Sequence, residues 1–228
     1  MITSSSNPRL KLVRKLASAR QREKLGLFVA EGEDLVSAAL EAGLDPVELL
    51  VAGETIAPEL LAGVSTLPHP ARRIGVFRRA DLPAYEARPV ALALWRVGDP
   101  GNVGTLIRTA DAFGASVELS EACADPAGPK ALRASAGAVF RVPLGRSEGR
   151  RIGLVARGGR QLPEAELGEG TTFVLGAERG GLSTEAQQEC DELVTIPTPG
   201  QAESLNVAAA GAIALYEWRR RLSSGSAL

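Results

Sequence analysis

The sequence predicts an α/β protein, a small N-terminal α/β domain followed by a larger domain built on a mostly parallel sheet. Three observations carry this. The run VALALWRV, Val90 to Val97, is almost continuously apolar, as befits a strand buried on both faces of a parallel sheet. It leads straight into the Gly-rich turn DPGNVG and then a helix with Val103, Leu106, Ile107, Ala110 and Phe113 on one face. Further strand candidates at 116–119, 152–156, 171–175 and 193–196 alternate with helix or loop signals, the pattern of a doubly wound sheet.

From the N-terminus, residues 8–24 read as one basic amphipathic helix, with Leu10, Val13, Leu16 and Ala17 at helical spacing. Leu27 to Val29 is a short strand. Glu33 to Ala42 is a second helix, stopped by Gly43 in the position that favours a left-handed cap. Val47 to Val51 is the next strand. These elements define a domain over residues 1–80. Residues 81–89, with Pro83 and Pro89, read as a linker, and 90–228 as the second domain. The last helix, Ser204 to Leu222, is apolar almost all round at its start, so its first half is expected to be buried. Arg219, Arg220 and Arg221 complement the dipole at its far end. The SSGSAL tail is expected to fray.

Composition narrows the class. With 45% apolar and 23% charged residues, the 228-residue chain is not disordered. Its longest uncharged stretch, the 13 residues from Ser204 to Tyr216, falls short of the about 20 that a membrane-spanning helix needs. The start, MITSSSNPRLK, has no apolar signal region, so a cytoplasmic protein is expected. Cys123 and Cys190 belong to no CxxC or Cys/His cluster, which argues against a disulfide scaffold and against a metal site. His69 is the only histidine, excluding mechanisms that need several. Ser183 and Ser204 lack the elbow context of a serine hydrolase.

A net charge of −1 conceals three basic groups: Arg9 to Lys24, Arg72 to Arg79, and Arg133 to Arg160. Clusters of this kind bind phosphate backbones whatever the chain's total charge, although each is equally readable as a solvated face. The residues taken for nucleic-acid contact are Arg9, Lys11, Arg14, Arg20, Arg22 and Arg133.

Three Gly-rich loops follow predicted strands: Asp99 to Gly104, Leu175 to Ser183, and Ile196 to Asn206. Ligands of open α/β sheets collect at the C-terminal ends of strands, and glycine lets backbone approach them closely. None of the loops is a GxGxxG or a P-loop. Together they point to a nucleotide-like small-molecule site.

The runs DPGNVGTLIRTADAFGA, PKALRASAGAVFRVP, FVLGAERGGLS and IPTPGQAESLNVAAAGAIALYE resemble the SpoU/TrmH branch of the SPOUT RNA methyltransferases, with all three family motifs in order. The opening ITSSSNPRLKLVRKL…LFVAEGEDLVSAALEAG is similar to the family's N-terminal substrate-binding domain, itself similar to ribosomal proteins that bind RNA. The resemblance implies a SPOUT domain with a deep trefoil knot. It implies methyl transfer from S-adenosylmethionine to a ribose 2′-hydroxyl of structured RNA, with ribosomal RNA favoured over tRNA by the basic N-terminal domain. It also implies a homodimer in which the motif arginine reaches the donor bound in the other subunit, and involves neither metal nor membrane. By position, Asn102, Arg108, Glu178, Ser204 and Asn206 match the family's catalytic positions, and Leu175, Gly176, Ile196 and Leu205 those whose backbone holds the donor. Glu178 and Asn206 are expected to neighbour Arg108, while Arg179 is placed to compete for Glu178 through a salt bridge. A non-catalytic, dimeric RNA-binding protein is the rival reading, and retention of the whole polar set speaks against it.

Overall fold

A computed structural model describes residues 1–200 and 202–225. Gln201 of the third loop, and residues 226–228 of the tail expected to fray, lie outside the described residues.

Asn7 accepts the backbone N–H of Arg9 and Pro8 fills the first helical position, starting α1 (Pro8–Lys15). The single helix expected over 8–24 is in fact two, with α2 spanning Ala19–Leu25. The chain bends between them once Leu10, Val13 and Leu16 are buried on one side. The Arg22 guanidinium donates to the carbonyls of Leu16 (2.9 Å) and Ala17 (3.0 Å), satisfying acceptors that the break would otherwise leave open. Then follow β1 (Leu27–Glu31), α3 (Glu33–Glu41), β2 (Glu48–Val51), α4 (Pro58–Ala62) and β3 (Arg73–Arg78). The three strands form an antiparallel sheet in the order β1-β3-β2. Its central strand, β3, was not expected. Ile74, Gly75, Val76 and Phe77 are all buried, so no alternation marks it, and arginines flank it on both sides.

The C-terminal part contains β4 (Val90–Leu94), α5 (Pro100–Phe113), β5 (Ser116–Leu119), α6 (Pro129–Ser135), β6 (Arg150–Leu154), β7 (Arg160–Gln161), β8 (Thr171–Leu175), α7 (Thr184–Gln188), β9 (Glu192–Thr195) and α8 (Val207–Gly225). All six strands run parallel, in the order β5-β4-β8-β6-β9-β7. Every residue of β4 and β8 is buried. The chain inserts β8 between β4 and β6, then β9 between β6 and β7, so later strands enter gaps between earlier ones. On one face α5 packs between α6 and α8. Gly104 allows the close approach to α6, because a Cβ there would strike the Ala131 carbonyl and the Ala134 side chain.

The first half of α8, expected to be wholly buried, is not. Val207, Ala208, Gly211, Ala214 and Leu215 face inward, while Ala209, Ile213 and Tyr216 lie exposed along the opposite side. The helix also runs past its arginines to Gly225, so they sit a turn inside its end. There Arg220 and Arg221 bond to Glu217, and Arg221 reaches the carbonyls of Leu162, Pro163 and Ala165.

Residues 82–89 carry no helix or strand, yet the two halves are packed together. Phe28 of β1 stacks on Phe77 of β3 at 5.7 Å and on Phe140 of the C-terminal part at 5.9 Å. Asp125 accepts from Arg22 Nε at 2.8 Å and from Arg79 Nη1 at 2.9 Å. Among the described residues, no helix is long and apolar enough to cross a membrane, and no acidic, Cys or His cluster is arranged to hold a metal.

Candidate active site

The site begins with the start of α5. Asp99 caps the helix by accepting the Asn102 N–H at 3.0 Å, Pro100 occupies the first turn, and Lys130 of α6 donates to the other Asp99 oxygen at 2.8 Å. The Lys130 hydrogen bond, with the capping bonds, holds the Asp99 carboxyl below its ordinary value. Arg96, just upstream, has a left-handed backbone at φ 57°, and its N–H is bonded to the Ser120 hydroxyl at 2.8 Å.

Asn102 is the hub. Its Nδ2 donates to Glu178 Oε1 at 2.9 Å, and its Oδ1 accepts from Asn206 Nδ2 at 3.1 Å. Glu178 also accepts the backbone N–H groups of Gly98 (3.1 Å) and Asp99 (3.0 Å), immediately before the helix, where its dipole favours an anion. Burial pushes the Glu178 carboxyl up, but the bonds from Asn102 and from backbone N–H groups outweigh it, and the group lies below its ordinary value. Asn206 turns its Oδ1 to the N–H groups of Ala208 and Ala209 and so starts α8. One side-chain chain, Glu178–Asn102–Asn206, thus joins all three loops.

Beside this chain lies a cavity of about 700 Å³, within the range that holds a nucleoside-sized ligand. Leu175, Gly176, Glu178, Ile196, Ser204, Leu205 and Asn206 line it. Gly176 is required there, since a Cβ would run into the backbone of Gly181 and Leu182. Asn102 and Arg108 are not in its wall. Arg108 lies on α5 six residues beyond Asn102, about 9 Å along the axis, with an exposed side chain. No carboxylate among the described residues is bonded to it. Within one chain, Glu178 and Asn206, expected to neighbour Arg108, bond to Asn102 and to helix starts. Arg179 makes no salt bridge with Glu178, which is served by three other donors.

A fourth segment, Leu154 to Arg157 at the end of β6, also lines the cavity. Sequence reasoning missed it, although the rule that points to the other three strand ends applies equally to β6.

The basic groups are partly consumed. Arg22, expected to contact nucleic acid, is 5% exposed, and its guanidinium is spent on Asp125 and two carbonyls, so it serves the fold. Arg141, Arg150, Arg151 and Arg160 pair with Asp111, Glu192, Glu118 and Glu192. Arg9 leans on Glu48, and Arg14 donates to the Ser5 carbonyl. These two side chains and those of Lys11, Arg20 and Arg133 face solvent.

A parallel sheet whose strand-end loops close around a nucleoside-sized cavity is the arrangement in which α/β proteins bind nucleotide-like ligands. Comparison with known proteins gives the particular family. Residues 89–216 match the SpoU rRNA methylase family and residues 7–76 match the MRM3-like substrate binding domain; the chain belongs to the SpoU rRNA methylase family. It is 32% identical to the 23S rRNA (guanosine(2553)-2′-O)-methyltransferase RlmP of Bacillus subtilis, over 96% of this chain and 98% of that one. The AdoMet-bound rRNA methyltransferase from Sinorhizobium meliloti superposes with a TM-score of 0.87 at 30% identity, covering 97% of each chain. The SpoU methyltransferase AviRb from Streptomyces viridochromogenes, in complex with AdoMet, superposes with a TM-score of 0.84 at 27% identity, covering 95% of this chain and 99% of that one.

Proposed function

We propose that the protein transfers a methyl group from S-adenosylmethionine to a ribose 2′-hydroxyl of ribosomal RNA, working in the cytoplasm as a knotted homodimer. The observation that carries this reading is the Asn102 hub, which ties three strand-end loops into one wall beside a cavity of about 700 Å³. The relatives named above, AdoMet-bound in two solved structures, support S-adenosylmethionine as the cavity's ligand and methyl transfer as the reaction. Residues 1–80 act as the substrate-binding domain, 81–89 as the connection and 90–228 as the methyltransferase domain. The match of 7–76 to a substrate binding domain and the exposed Arg9, Lys11, Arg14, Arg20 and Arg133 support RNA as the partner.

Two features favour the dimer. Ile213 and Tyr216 are exposed apolar side chains on α8, 39% and 61% accessible. The cavity wall contains no Arg108, so the site is complete only if a second subunit brings that arginine in. The insertion of β8 and β9 between earlier strands, followed by the return of α8 onto α5, supports the trefoil knot.

In mechanism, bound S-adenosylmethionine supplies a methyl group on a sulfonium. Leu175, Gly176, Ile196 and Leu205 hold the donor, and Ser204 closes the third loop on it. Asn102, Glu178 and Asn206 are positioning residues that fix the loops against each other. The Arg108 guanidinium orients the ribose and stabilises negative charge developing on its 2′-oxygen, with help from an RNA phosphate; the hydroxyl proton would pass to solvent and the donor would leave as its neutral thioether. Calorimetric titration with S-adenosylmethionine tests the reading: saturable binding is expected, and no binding, with or without ribosomal RNA, contradicts it.

A further inference from the structure

The cavity wall contains three charged residues among those described, Arg157, Glu178 and Glu203. Arg157 is its one cation. Glu178 is committed to three donors, whereas Arg157 is exposed and no carboxylate among the described residues is bonded to it. Its neighbours in the chain contrast with it: Arg150, Arg151 and Arg160 are all spent in ion pairs with Glu192 and Glu118.

The backbone on both sides of Arg157 is pinned. Val155 N–H donates to the Val194 carbonyl at 2.9 Å, and Gly159 N–H donates to Thr195 Oγ1 at 3.1 Å. Gly158 turns the chain with φ 84°, and a Cβ on Gly159 would sit 2.7 Å from the Val194 backbone. The loop is therefore clamped to β9, and Arg157 stands in the cavity wall on a fixed backbone. A rigidly rooted arginine fork is suited to a carboxylate.

We propose that Arg157 holds the α-carboxylate at the methionine end of S-adenosylmethionine. The inference rests on S-adenosylmethionine being the cavity's ligand, and goes beyond it by assigning the group that reads the ligand's amino-acid end. Arg157 is thus a binding and specificity residue for ligands that carry this carboxylate.

Calorimetry with two probes, S-adenosylmethionine and its decarboxylated form, tests this on the purified full chain. The wild-type protein should bind the decarboxylated probe about tenfold more weakly, the size of one charge-assisted hydrogen bond near solvent. Arg157→Gln should weaken S-adenosylmethionine by about the same factor and leave the decarboxylated probe unchanged, so that the two become equal. Arg157→Lys should recover part of the difference. Equal losses for both probes, or no loss for S-adenosylmethionine, overturn the assignment. So does unchanged donor binding with weakened ribosomal RNA binding, which moves Arg157 to the RNA. If the wild-type protein binds neither probe, the cavity's ligand is wrong, a failure distinct from wild-type binding that Arg157→Gln leaves unaffected.

Discussion

Arg108 and Asn102 lie on one helix and do different work. Asn102 satisfies Glu178 and Asn206 inside the subunit, while Arg108 is exposed and, in the proposed mechanism, meets the charge that develops on the ribose. Arg108→Ala should therefore cut methyl transfer by at least about a hundredfold, with S-adenosylmethionine binding and the dimer intact. Label incorporation and calorimetry read the two parts, and wild-type incorporation by the variant would remove Arg108 from the chemistry. Much at this scale was legible in the sequence. Gly176, Leu205 and Asn206 sit in loops whose glycines and polar residues mark strand ends. Arg22 was not legible, since neighbouring charges do not show which arginine turns inward to take up the carbonyls at a helix break. Arg157 was passed over because Leu154 to Arg157 carries no glycine to mark a loop, although it ends a strand as the other three segments do.

At the scale of elements, α5 and α8 were visible through their apolar faces, and β4 and β8 through uninterrupted apolar runs. The strand β3 escaped because it is covered on both sides and bounded by arginines that read as a charge cluster. The C-terminal turns of α8 offer a test of local electrostatics. Hydrogen bonding from Arg220, opposed by burial and reinforced by Arg221, lowers the Glu217 carboxyl from 4.5 to about 2. A lowered folded-state value means that its stabilisation is complete above pH 4.5 and is lost as pH falls toward 2. Urea denaturation midpoints should drop across that window in the wild-type chain and drop less in Glu217→Gln. Equal slopes for the two would remove Glu217 from the acid response.

The whole molecule is governed by two contacts. The first is internal: Phe28, Phe77 and Phe140 make one stack across the two halves, and Asp125 holds both Arg22 and Arg79. Sequence texture showed a Pro-bearing segment between two domains but not this shared core, because the three phenylalanines are far apart in the chain. The second is the proposed contact between subunits, for which the exposed Ala209, Ile213 and Tyr216 side of α8 offers the surface. Ile213→Asp should yield a folded monomer by light scattering, with methyl transfer lost; a monomer with full activity would show that Arg108 acts within its own subunit.

The proposed reaction is defined by the atom that receives the methyl group. A methyl on the ribose 2′-oxygen removes the nucleophile of alkaline RNA cleavage, so the adjacent phosphodiester survives base. Ribosomal RNA incubated with the protein and methyl-labelled S-adenosylmethionine, then hydrolysed in alkali, should carry its label in alkali-stable dinucleotides. Label released in mononucleotides would mean methylation of a base and would contradict ribose 2′-O-methyl transfer.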